Sequence, residues 1–401
     1  MKRSAILWAG LLATVLAVLA GGLPNAVAMA AEQPSGSGSA AASDAADGTH
    51  GGSEGDSDTG AASRTTDADG ADDAPAGDPS AGKELYWPLP WSGHATLIYD
   101  EAIDQLRTKG ASSRVWRSRA SVEIRSQPRA EGGHALSWIT GDVEIAFISG
   151  IDEDEQTLVR TLAEAVQGLP ASVRVDAEGG FVAIENLSEL GAHVRRIVGA
   201  MFDKSLKDAL ARIDDPDQRA AAEARAHDQQ PGILSSLASD EILGQQLAGK
   251  ITPLLFPAGG GLIPDTRYEW QEAGTNMLGG DPLPLSTAFE LQRDGGANGM
   301  IRALHTRNLD AEAAEPILRA SMRAHAIRAG VPEPSIEEIT RSIAGIRAEY
   351  RAEYLIDTAT GIVHRLEVTK TSGAQGVEEI ENAVLVLREA IAVAQAGEQE
   401  K

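Results

Sequence analysis

R-A-E-Y-R-A-E-Y-L-I-D-T-A-T-G-I-V-H-R-L-E-V-T-K-T-S, residues 347–372, decides the fold class. Ala348, Tyr350, Ala352, Tyr354 and Ile356 share one face of an extended chain, and Arg347, Glu349, Arg351, Glu353 and Asp357 share the other. After Asp357-Thr-Ala-Thr-Gly361 the alternation resumes, with Ile362, His364, Leu366 and Val368 against Val363, Arg365, Glu367 and Thr369. Period two on both arms predicts a β-hairpin with one buried face. Gly361 suits a left-handed position closing the turn, where a side chain is disfavoured.

Working outward, the same pattern recurs. Strands are predicted at His94–Asp100, Ser113–Ser126, His134–Thr140 and Val143–Ile148, the last two joined by a tight turn at Gly141-Asp142. A second hairpin spans Ser172–Glu185, and further strands lie near Arg267–Gln271, Ser286–Arg293 and Met300–Arg307. Helical spacing marks Asp154–Gly168, with the acidic Asp152–Glu155 at its start, and a helix capped by Asn186 or Ser188. Four more helices are expected: Ser205–His227 with a break at Asp214-Asp215-Pro216, one from Ser239-Asp240 ending before Pro253, Ala311–Ala329, and Ser335–Ile343 opened by a capping box. Ile380, Val384, Leu387 and Ile391 predict a last helix over Val377–Ala396.

The N-terminus is different in kind. Lys2 and Arg3 precede an apolar run from Ala5 to Ala20 and then A-V-A-M-A ending at Ala30, the pattern of a cleaved secretory signal over residues 1–30. The run is shorter than the roughly 20 residues a spanning helix prefers, so no stable membrane insertion is expected after cleavage. Residues 31–82 are Gly, Ser, Ala, Thr and Asp with almost no large apolar side chain, which predicts a disordered acidic linker. The Asp56-x-Asp58 and Asp67-x-Asp69-Gly70 spacings lack the remaining positions of a calcium loop. The expected location is the periplasm or the extracellular space.

Composition narrows the chemistry. The chain of 401 residues has a formal charge of −24, which becomes −26 without Lys2 and Arg3, and nucleic acid is a poor partner for it. With no Cys there is no disulfide, thiolate nucleophile or Cys-ligated metal. The eight His are scattered without ligand spacing. Gly244-Gln-Gln-Leu-Ala-Gly249-Lys250 resembles a P-loop, but Ile251 stands where Ser or Thr must hold magnesium, and no strand precedes it. No nucleophile elbow or Ser-x-x-Lys pair is present. Neither catalytic residues nor a cofactor nor a metal is assigned, and nothing fixes the oligomeric state.

Tyr86-Trp-Pro-Leu-Pro-Trp91 reads as an extended lead-in, either packed on the domain edge or presenting an aromatic platform. The inward faces of the strands carry more information. Ser118, Ala120 and Val122 on the long strand, and Ala-Tyr-Ala-Tyr on the hairpin, are small or flat. Such a face either packs a helix closely or borders a cavity. The candidate ligand-facing or core set is therefore Trp116, Ala120, Trp138, Tyr350, Ala352 and Tyr354.

The hairpin Val175-Asp-Ala-Glu-Gly-Gly-Phe-Val182, the long alternating strands, the helices and the export signal together resemble the LolA-like superfamily over residues 84–396. That resemblance implies a curved, incomplete barrel carrying lipid or lipoprotein acyl chains in the periplasm, and it transfers no individual residue. The same eight residues align without a gap on Ile356–Val363, each hairpin with an expected helix after it, which predicts an internal duplication. The expected fold is α+β: a curved antiparallel sheet, an incomplete barrel with helices on one face, in two repeated halves. These are residues 83–203 and 262–397, joined by a helical connection, 204–261. The expected function is a non-catalytic carrier of a lipid or other hydrophobic ligand. The alternative is an envelope interaction protein with a filled core, and a third class is a hydrolase without a recognisable motif.

Overall fold

The computed structural model describes residues 83–392, apart from 93, 212, 238–239, 275, 277–279, 294–298, 329–335, 338–339 and 342. The signal and linker readings lie outside the described residues, and the Ser335–Ile343 helix lies partly outside them. The strands are β1 (Leu85–Tyr86), β2 (His94–Lys109), β3 (Ser112–Pro128), β4 (His134–Thr140), β5 (Glu144–Ser149), β6 (Pro170–Val175) and β7 (Phe181–Ile184), then β8 (Gly260–Leu262), β9 (Arg267–Gly274), β10 (Leu283–Arg293), β11 (Met300–Leu309), β12 (Arg347–Asp357), β13 (Val363–Ala374) and β14 (Val377–Ala392). The helices are α1 (Glu153–Val166), α2 (Leu187–Leu210), α3 (Pro216–Leu237), α4 (Asp240–Leu255) and α5 (Ala311–Arg328).

One antiparallel sheet organises the chain, in the order β7-β6-β4-β3-β2-β14-β13-β12-β11-β10-β9. It is open, with edges at β7 and β9, and its curvature comes from the twist of so many strands. Period-two burial sets its two faces. Leu97, Tyr99, Ile103, Val122, Ile124, Trp138, Tyr354 and Leu366 point inward, and pairs such as Arg351–Glu353 and Arg365–Glu367 lie outside. β12 and β13 form the expected hairpin, and Gly361 has φ +71°.

Four expectations are corrected. Val377–Ala392 is the strand β14, inserted between β13 and β2. Its β-branched residues and two long pairing partners override the helical spacing of Ile380, Val384 and Leu387. β4 and β5 are not a hairpin: both pair with β3, end to end, as one interrupted strand. α4 runs through Pro253 rather than stopping before it. A bulge at Leu355/Ile356 shifts the β12–β13 register, so Val363 is buried and His364 is only half-buried.

The duplication expected from sequence required a helix after each hairpin, and the strand β14 after β13 overturns it in that form. β2-β3-β4, α1, β6-β7 and β9-β10-β11, α5, β12-β13 both run as antiparallel meanders with a helix between the third and fourth strands, and the first carries the additional strand β5 beside β3. The two units end differently, with α2 after β7 but β14 after β13. The gap-free alignment also slips by one residue. Gly179, not Gly180, takes positive φ and bonds back to the Asp176 carbonyl, as Gly361 bonds back to that of Asp357.

Candidate functional site

The concave face of the sheet is covered from three directions. The first cover is the lead-in segment. Trp87 and Trp91 are buried, and Trp87 Nε1 donates to the Pro257 carbonyl at 2.8 Å, so burial overturns the exposed aromatic platform. The two related turns grip this segment. A Cβ on Gly361 would collide with the Pro88 carbonyl oxygen, and one on Gly179 would lie 2.6 Å from Leu89 Cδ2.

The second cover is α4. Its sequence, D-E-I-L-G-Q-Q-L-A-G-K-I-T-P-L-L, is a poor helix on propensity alone, because each internal Gly costs about 1 kcal/mol and Pro about 3 kcal/mol relative to Ala. Burial holds it instead: Ile251, Leu254 and Leu255 join the main core with the inward residues of the sheet. Asp240 ties its start to α2, accepting from Ser188 Oγ at 2.8 Å and Arg195 Nη1 at 3.1 Å. The P-loop-like stretch is the middle of this helix, and Lys250 Nζ donates to Glu101 Oε2 at 2.7 Å. The third cover is α1 over β5, where Arg160 stands 5.0 Å from the Phe147 ring centroid.

Beneath these covers the inner face is not uniformly apolar. A transverse line of cross-strand partners runs Thr287, Arg307, Tyr350, Lys370, Glu381, Gln105, Trp116. Lys370 Nζ donates to Glu381 Oε1 at 2.9 Å, and Gln105 Nε2 donates to Glu381 Oε2 at 2.6 Å. Removing such charges from water is costly and is repaid only by close partners. Beside this line, Glu379 is pushed up to about 7 by burial, opposed by Arg107 and reinforced by Glu381. Tyr350 is pushed up to about 12, chiefly by burial. Arg307 Nε lies 2.9 Å from Glu272 Oε1, an ion pair without hydrogen-bond alignment.

Several buried polar atoms of this face lack a partner among the described residues: Gln105 Oε1, Thr287 Oγ1, both ring nitrogens of His305, and Ser372 Oγ. On α4, Gln245 Oε1 and Gln246 Oε1 are in the same condition. Each unmet buried group costs about 1–3 kcal/mol, and the indole nitrogens of Trp91 and Trp138 in the main core are also unpartnered among the described residues.

Of the residues proposed from sequence, Trp116, Trp138, Tyr350, Ala352 and Tyr354 are buried, and Ala120 is half-buried. Trp138, Tyr350, Ala352 and Tyr354 belong to the main core. Trp116 lies apart from it, opposite Phe147. The sequence reading missed Glu101, Gln105, Lys370, Glu379 and Glu381. Lys370 and Ser372 continue the hairpin's own alternation and could have been read from it. Glu379 and Glu381 were hidden by the assignment of their strand to a helix.

No family model matches the chain, and no curated protein matches it. Among solved structures, one described as "lipid-protein interactions in lipovitellin" is similar at 10% identity and a TM-score of 0.38, over 75% of this chain and 26% of that one. The chain thus spans about a quarter of lipovitellin's length. Among the described residues, no helix is long and apolar enough to cross a membrane.

Proposed function

We propose that the protein is an exported, non-catalytic carrier that holds a hydrophobic ligand between the inner face of its sheet and the helical cover. One observation carries this reading: buried polar atoms without partners among the described residues on the concave face, beside its apolar core and its buried ion pairs. A surface built only to be filled gains nothing from such groups, whereas a ligand with an apolar body and a polar end would satisfy them. The weak intrinsic helicity of α4 supports a cover that can shift.

A second reading, an envelope interaction protein with a filled core, is favoured by the side chains already seated on the inner face: Trp87, Trp91, Ile251, Leu254 and Leu255. Titration of the full-length protein with the apolar fluorophore N-phenylnaphthylamine separates the two. The carrier binds the dye saturably and releases it to long-chain lipids. A filled core gives no saturable uptake.

A further inference from the structure

His305 sits in the middle of β11 on the inner face and is 2% exposed. Aromatic side chains enclose it. Phe256, the residue after α4, stacks on the imidazole with centroids 3.9 Å apart and planes 6° apart. Tyr350 and Phe289 meet it edge-on at 5.4 Å and 6.1 Å. Neither ring nitrogen has a partner among the described residues, and neither does Thr287 Oγ1 on the adjacent strand. Whichever tautomer is present, a neutral imidazole offers one N–H donor and one acceptor nitrogen, and the threonine hydroxyl adds another of each. Both side chains face the same interior at diagonal positions, with Arg307 opposite Thr287 and Phe289 opposite His305, so donors and acceptors stand beside aromatic rings.

The charge state narrows what could satisfy it. Burial, with the nearby Arg307 charge, holds the imidazole at about 3, so the ring is neutral in ordinary buffers. Arg307 is already engaged with Glu272. An anionic headgroup at His305 would therefore be buried without a free counter-charge, which is costly. An uncharged group that can both accept and donate, or accept alone, meets no such cost.

We propose that His305, together with Thr287, is the polar anchor of the ligand site and receives the ester or hydroxyl group of a neutral acyl lipid, which takes the place of Phe256 when the end of α4 lifts. This rests on the carrier reading. Phe256 then acts as the stand-in that keeps the imidazole covered in the unliganded protein, and the apolar inner face beyond it takes the acyl chain.

The test uses the full-length protein and probes that share one chain and differ in the polar end: oleyl alcohol, methyl oleate and, in mildly alkaline buffer, oleate. Each is measured by displacement of N-phenylnaphthylamine, with near-ultraviolet circular dichroism as a check on folding. The wild type is expected to bind the two neutral probes more than about tenfold more tightly than oleate. H305F keeps a ring stacked on Phe256, and it is expected to weaken both neutral probes by about three- to tenfold, the worth of one hydrogen bond. T287V is expected to lose less, in the same direction, and decides the matter if H305F does not fold. Oleate binding as tightly as the neutral probes, or a neutral preference unchanged by both substitutions, overturns the anchor while leaving the carrier standing. Failure of the wild type to take up the dye or any probe overturns the carrier reading, and the anchor with it.

Discussion

Substituting Glu379 by Gln isolates the most perturbed carboxylate on the inner face. Glu379 is buried on β14, opposite Ser372 of β13 and Arg107 of β2, with Glu381 two residues along the strand. Burial pushes it from 4.5 up to about 7. Between those values the folded protein binds a proton that the unfolded chain has released. Stability from this group is therefore complete below 4.5 and is lost as pH rises through about 7. At about 1.4 kcal/mol per pH unit, the loss is about 3 kcal/mol. Gln mimics the protonated carboxyl, so E379Q should match the wild type near pH 4.5 and be more stable by about 2–3 kcal/mol above pH 7. Urea unfolding of both proteins across this range reads the difference directly, because the other titrating groups cancel. A flat difference, or one in which the wild type gains on the variant with rising pH, would show that Arg107 holds Glu379 as a carboxylate and refute the reasoning.

The hairpin register gives a second prediction. Tyr354→Ala should cost about 3–5 kcal/mol as a buried aromatic truncation, while Arg365→Ala should stay within about 0.5 kcal/mol, both measured by chemical denaturation. Lys250→Met leaves Glu101 buried and bare, so it should cost about 3–5 kcal/mol, and adding Glu101→Leu should recover most of the loss; no recovery would mean the pair is not the contact at stake. Gly361→Ala would drive a Cβ into the Pro88 carbonyl oxygen at positive φ, so thermal denaturation should show a loss of more than about 1 kcal/mol. A neutral outcome would mean that the lead-in segment is not held against this turn.

The strands were legible where one face is charged and the other apolar, as in Arg347–Asp357, because period two has one reading there. Val377–Ala392 was not legible. Its inward face carries Glu379 and Glu381, so the apolar residues that remained fell at helical spacing by accident of composition. The turn before it was equally silent: Gln375 and Gly376 both take positive φ, as a two-residue hairpin loop requires, but Gln is an uncommon first residue there. The hairpin-turn resemblance between Asp176 and Asp357 misled twice: its glycine alignment was one residue out, and a strand rather than a helix follows the second hairpin. The candidate site was half visible. Tyr350, Ala352 and Tyr354 can be read from alternation alone. The polar line cannot, because Lys370 meets Glu381 and Lys250 meets Glu101 only once strands and helix far apart in sequence are brought together. His305 stood in a predicted strand, but its stacking on Phe256 is a tertiary fact.

The central claim, that the inner face carries a hydrophobic ligand, is tested most directly by native mass spectrometry of the full chain purified under gentle conditions from cells of its own source. The account predicts a population heavier than the polypeptide by a lipid-sized mass, released as a free lipid on mild activation. Bare polypeptide in repeated preparations, together with no uptake of added neutral acyl lipid, would contradict it and leave the filled-core interaction protein in its place.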